Sequence, residues 1–100
     1  MMYNIYYGTP TNNALKCQYR ITVDCKSERR AKELAYDAAC SFYYKNEGKF
    51  NLPGYNQIKK ECDLTGVSLK NMYGEHIKDL LRWYAVPTEL DTVSYKDLKY

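Results

Sequence analysis

The chain has one tryptophan, two phenylalanines, one histidine and three prolines among its 100 residues. No apolar run approaches the ~18 residues that a membrane-spanning helix needs, so no membrane partner is expected. The start, MMYNIYYG, lacks the charged head and long apolar stretch of a secretory signal, which makes the cytoplasm the expected location. The net charge is also small. Fifteen Lys and Arg face twelve Asp and Glu for a net +3, short of the strongly basic balance of a dedicated nucleic-acid binder. Neither GxGxxG nor GxxxxGK followed by Ser or Thr occurs among the five glycines, so no phosphate-cradling loop is present.

Four cysteines are present, Cys17, Cys25, Cys40 and Cys62, but no CxxC pair. Structural zinc sites use clustered ligand pairs because neighbouring ligands must converge within a few ångströms. Here every candidate would have to come from a separate element, so neither metal nor cofactor is expected. Disulfides need a secretory context. Cys17 and Cys25 on one strand would lie ~26 Å apart, beyond bonding reach. Reduced, mostly buried thiols are the expectation.

What the chain does have is tyrosine. Twelve of its fifteen aromatic residues are Tyr. Each pairs an apolar ring with a polar tip, and twelve cannot all enter so small a core with their hydroxyls satisfied. Several are therefore expected on the surface. A chain rich in Tyr, Asn and Lys also matches the composition of many small proteins of AT-rich bacteria and their phages, a pattern that codon bias alone can produce.

The elements read as an α+β chain in one domain of 1–100. Residues 2–7 form a short strand with Tyr3, Ile5 and Tyr7 on one face. Gly8 to Asn13 is a run of turn formers. From Cys17 to Cys25, apolar Cys17, Tyr19, Ile21, Val23 and Cys25 alternate with polar residues, which is the pattern of a half-buried strand. The two strands are expected to pair as an antiparallel hairpin. Ser27 then caps a helix with Glu28 in its first turn, where negative charge suits the helix dipole. Ala31, Leu34, Ala35, Ala38 and Phe42 make its core stripe, Tyr36, Cys40, Tyr43 and Tyr44 a flanking one, and Gly48 its stop.

Pro53 in the turn Asn51–Gly54 separates that helix from a short one marked by Tyr55, Ile58 and Cys62. Ser68 caps a third helix running from Leu69 to Tyr84, ended by Pro87. Gly74 inside it costs about 1 kcal/mol relative to alanine, so a close backbone approach is expected there. The tail 91–100 has two readings. Thr92, Val93 and Tyr95 suit a third strand, and Ser94 suits the cap of a helical turn. The strand is preferred because two strands alone make a marginal sheet.

Residues 58–82 resemble the bipartite layout of a helix-turn-helix, with Gly66-Val67-Ser68 as the turn. Cys62 supplies the small residue the motif wants before the glycine, but Thr65 and Glu75 fall where it wants apolar ones. Lys70, Asn71, Glu75, Lys78 and Asp79 give the second helix a mixed face. Phosphate contacts dominate DNA affinity, so such a face is expected to bind duplex weakly. His76 reads as a hydrogen-bonded imidazole at the core edge, with a Cys–His nucleophile pair through Cys40 or Cys62 as the alternative. Glu75 and Asp79 lie one helical turn apart and read as surface acids.

With no catalytic constellation in view, the expected function is a non-enzymatic protein-interaction module whose partner is another protein or a second copy. Tyr, Trp and Arg are the residues most enriched at binding hot spots. Tyr6, Tyr43, Tyr44, Arg82 and Trp83 are the candidate contacts. The alternative is nucleic-acid binding, with Tyr19 and Arg20 on the second strand and Arg29 and Arg30 on the following helix stacking bases and holding phosphates.

Overall fold

The computed structural model describes residues 1–10 and 17–91. Its elements run β1 (Met2–Gly8), β2 (Tyr19–Asp24), α1 (Glu28–Lys45), α2 (Tyr55–Thr65), α3 (Leu69–Leu80) and β3 (Arg82–Pro87), closed by a 3-10 turn at Thr88–Leu90. The described strands form one antiparallel sheet of order β2-β1-β3. The architecture is α+β, as the sequence pattern requires.

β1 is the middle strand and is paired along both of its edges. Tyr3, Ile5 and Tyr7 stand opposite Val23, Ile21 and Tyr19 on one side, and opposite Pro87, Ala85 and Trp83 on the other. This face receives α1. Ser27 Oγ accepts the Arg30 backbone N–H at 3.2 Å and so starts that helix. Ala31, Ala35 and Ala39 are fully buried along one line, which lets the helix lie close over β1 and β3. The buried position is thus Ala39, one residue on from the expected Ala38. The helix stops at Lys45 with Asn46 as its cap, before Gly48. β2 meets the helix where Tyr19 packs on Phe42, while its Ile21 stays 42 % exposed.

The opposite sheet face is not a solvated one. Asn4, Tyr6, Arg20 and Cys17 are all buried there. Thr22 Oγ1 donates to Asn4 Oδ1 at 2.7 Å, Asn4 Nδ2 donates to Asp91 at 2.6 Å, and the Tyr6 hydroxyl also donates to Asp91. Buried polar groups on a sheet face need such mutual bonds, because each left unmade would cost about 1–3 kcal/mol.

The main core lies where the second half of α1 meets α2 and α3. It includes Phe42, Tyr43, Leu52, Ile58, Met72, Tyr73, Ile77 and Leu81. α2 spans 11 residues, and Gly66 ends it in the left-handed conformation at φ 75°. Ser68 Oγ accepts the Asn71 N–H at 3.3 Å and starts α3.

The largest departure from expectation concerns residues 81–87. The helix expected to reach Tyr84 ends at Leu80, and Leu81 turns to extended backbone with ψ 163°. Arg82–Pro87 then pairs with β1 along its whole length. The missing third strand comes from here. The tail whose strand or helical turn was at issue, 92–100, lies outside the described residues. Pro87 is the last residue of a strand and not the stop of a helix. Aromatic and β-branched residues in Trp83-Tyr84-Ala85-Val86 suit a pleated surface, and an unpaired β1 edge decides the matter.

Candidate protein-docking groove

α1 and α3 run side by side and leave an open groove of about 970 Å³ between them. On α1, Tyr36, Cys40 and Tyr44 succeed one another at i, i+4 and i+8, so they share one helix face. Tyr36 and Tyr44 are 40 % and 53 % exposed and form the wall. Each ring is backed by another aromatic. Tyr36 meets Trp83 edge-on at 5.1 Å between centroids, and Tyr44 lies tilted against Tyr73 at 5.1 Å. Such contacts hold the two rings in place without burying them.

Val67, Gly74 and Ile77 contribute the far side of the groove, with Lys70, Asn71, Glu75 and Lys78 along its rim. Gly74 had been expected to mark a close backbone approach. It marks the reverse: a Cβ built there meets no heavy atom within 4 Å. The glycine leaves the groove open where a side chain would project into it. Among the described residues, Lys70, Lys78 and Glu75 form no ion pair.

The titrating groups in this groove do not favour nucleophilic chemistry. Burial raises the Cys40 thiol above its ordinary value, so it stays protonated near neutrality. Tyr36 is raised by its hydrogen bond with Cys40 and then by burial, and Tyr44 is raised by burial first. His76 Nε2 meets Glu61 Oε2 at 2.7 Å, tying α3 to α2 at the edge of the core. A carboxylate and not a thiol is therefore its partner at that nitrogen. Among the described residues, no three His, Cys, Asp or Glu side chains converge as a metal site would require. No described helix is long and apolar enough to cross a membrane.

The residues singled out from sequence scatter. Tyr6 and Tyr43 are fully buried, so neither can be a surface contact. Tyr6 is on the face opposite Ile5 as expected, but that face is itself covered. Tyr43 donates its hydroxyl to the Pro53 carbonyl at 2.7 Å and pins the 46–54 turn to α1. Tyr44, one position on, is rotated about 100° around the helix and faces the groove. Arg82 is exposed, and its Nη1 donates to the carbonyls of Asp79 at 3.2 Å and Leu81 at 2.7 Å, closing the end of α3. Trp83 is half-buried behind Tyr36. Tyr36, Cys40 and Gly74 were missed as a set. The 36, 40, 44 spacing was visible in the sequence, but the space facing it was not.

The four residues considered for nucleic acid do not share a face. Tyr19 is stacked on Tyr7 at 5.6 Å and packs on Phe42. Arg20 is buried on the far side of the sheet from α1, against the Tyr6 hydroxyl, which corrects its expected exposure. Arg29 and Arg30 lie on the outer face of α1, both paired with Glu33, while Lys32 pairs with Glu28. That surface is sign-alternating, not a basic track. α2, Gly66 and α3 do form two helices joined by a turn. Met72, Tyr73 and Ile77 of the second helix face the core, and its outward residues are the mixed set already named.

Comparison of the chain with protein-family models, with curated proteins and with solved structures returned no match.

Proposed function

We propose that this chain is a small cytoplasmic protein-interaction module without catalytic chemistry of its own. It docks an amphipathic helix of another protein along the groove between α1 and α3. The observation that carries this reading is an open groove with two exposed tyrosines on one wall and a glycine, not a side chain, on the other. A guest helix would lay its apolar stripe against Tyr36, Tyr44 and Val67, the helix-in-groove mode of recognition. Lys70 and Lys78, about two helical turns apart on the rim, would meet acidic residues flanking that stripe. The four free cysteines accord with a reducing compartment.

The test is selection from a displayed library of amphipathic helical peptides, followed by affinity measurement on groove variants. Peptides with an acidic flank are expected to win. Their Kd should weaken about tenfold or more on Tyr44→Ala or Gly74→Trp, while Arg29→Ala leaves it unchanged. Peptides that ignore both groove variants would refute the reading. Retention of a mixed oligonucleotide pool at low salt, lost steeply as salt rises, would favour nucleic acid instead.

A further inference from the structure

α1 lies over β1 and β3 and is off-centre from β2, so the sheet is left open along one flank of the helix. A cleft of about 260 Å³ runs there between α1 and the rings of Tyr7 and Tyr19. On the helix, Ala38, Ser41, Phe42 and Lys45 recur at i, i+3, i+4 and i+7 and share one face. This is the flank away from Tyr36, Cys40 and Tyr44, and the cleft and the groove have no residue in common. Small side chains at 38 and 41 leave the space unfilled. Cys17 packs beside Tyr6, and Asp91 bonds the Tyr6 hydroxyl, on the opposite sheet face. The described chain therefore enters β2, and ends beyond β3, on the other side of the sheet from the cleft.

The lining is mostly aromatic. Tyr7 and Tyr19 stack within 23° of parallel at 5.6 Å between centroids, and Phe42 meets them at 6.3 and 5.4 Å. Phe50 stacks on Phe42 at 5.8 Å from the 46–54 turn and holds that ring in place. The polar complement is small: the Ser41 hydroxyl, the Asn46 amide and the Lys45 ammonium. Asn46 Nδ2 donates to the Phe42 carbonyl at 2.8 Å, which fixes its side chain. Lys45 is exposed and, among the described residues, forms no ion pair. An aromatic lining with a few placed polar groups is the usual make-up of a small-molecule site.

We infer that this cleft binds a small aromatic acid, its ring laid against Tyr7, Tyr19 and Phe42 and its anionic group held by Lys45. Aromatic side chains take a planar guest by offset stacking or edge contact. The volume is below the roughly 300–1,000 Å³ of sites for drug-sized ligands, which leaves room for one ring system with a short acidic arm. One ammonium suits one carboxylate or phosphate, whereas a nucleic-acid strand needs a cationic track along its backbone. An aromatic carboxylate and a mononucleotide share this chemistry. Because the groove contributes none of these residues, the site stands or falls independently of what the groove binds.

Titrations of the isotope-labelled full chain with indoleacetate and, separately, with adenosine monophosphate test it, followed by amide NMR spectra. At least one acid is expected to bind saturably and to move the Ser41, Phe42 and Lys45 resonances while those of α2 stay in place. The acid that binds tells an aromatic carboxylate from a nucleotide. Lys45→Gln should weaken its Kd about tenfold, and ribose phosphate, which has no ring, should not bind. Ala38→Leu fills the cleft and should abolish the shifts. Leucine is also a good helix former, so the circular dichroism spectrum should match the wild type. Silence of those resonances toward both acids at about 10 mM overturns the inference. So does binding of ribose phosphate as tight as that of the acid, or binding that either variant leaves unchanged.

Discussion

Gly66 and Gly74 invite a matched experiment, because substitution by alanine should move stability in opposite directions at the two sites. At both positions a built Cβ meets nothing within 4 Å, so neither clash nor new packing enters. Only the backbone differs. Gly74 lies inside α3 without a positive φ, whereas Gly66 ends α2 at φ 75°. In a helix interior, glycine is about 0.8–1.0 kcal/mol less favourable than alanine, so Gly74→Ala should stabilise by about that amount. In the left-handed region a Cβ crowds the following carbonyl at a cost of about 1–2 kcal/mol. Alanine also restricts the unfolded chain, which returns about 0.4–1 kcal/mol. Gly66→Ala should therefore lose about 1 kcal/mol net. Gly66→Asn should lose less, because asparagine tolerates that conformation. Each kcal/mol moves Tm by about 4–8 °C in a domain of this size, so thermal and urea unfolding resolve both changes. Gly74→Ala falling below wild type would mean that a neighbour occupies the space beside Gly74, and would remove the opening on which the groove rests. Equal signs at the two sites would refute the reasoning altogether.

Burial, with the Asp91 hydrogen bond adding to it, pushes Tyr6 up to about 12, and burial with the Glu47 charge does the same to Tyr43. Both phenols ionise more readily unfolded, near 10, so their contribution is complete below pH 10 and is lost as pH rises toward 12. Urea midpoints should fall across that window, and Tyr6→Phe or Tyr43→Phe should flatten the fall. Burial also pushes the Cys17 thiol up to about 11, and Cys25 and Cys62 are buried. At pH 8 an aromatic disulfide reagent should label the native chain slowly, at Cys40 first, and all four thiols at once in denaturant. Leu81 is fully buried in the main core just where α3 gives way to β3. Leu81→Ala should cost about 2–5 kcal/mol, measured by urea unfolding, and an effect below 1 kcal/mol would mean the junction is not packed as described.

Local signals were enough wherever one short segment carried its own answer. Ser27 and Ser68 cap α1 and α3 because a serine hydroxyl three residues before a backbone N–H satisfies it with no help from elsewhere. Tyr3, Ile5 and Tyr7 share a face of β1 because alternation is a property of the extended backbone. Where two periods overlapped, the local signal failed. Ile77, Leu81 and Tyr84 continue a helical spacing, while Trp83 and Ala85 alternate as a strand, and nothing within 77–87 chooses between them. The choice belongs to β1, whose second edge needs a partner. Arg20 and Tyr6 were read as outward because polar and apolar residues alternate along their strands. They are inward because the second face of this sheet is covered as well, with Asp91 supplied to Tyr6 from 85 residues away in the chain.

The groove divides the same way. The chain by itself determined that Tyr36, Cys40 and Tyr44 share a helical face, since this follows from the repeat of the backbone. Only the tertiary structure decided that this set faces open space beside Gly74. Vacancy is a relation between elements, and no periodicity within a single element encodes it.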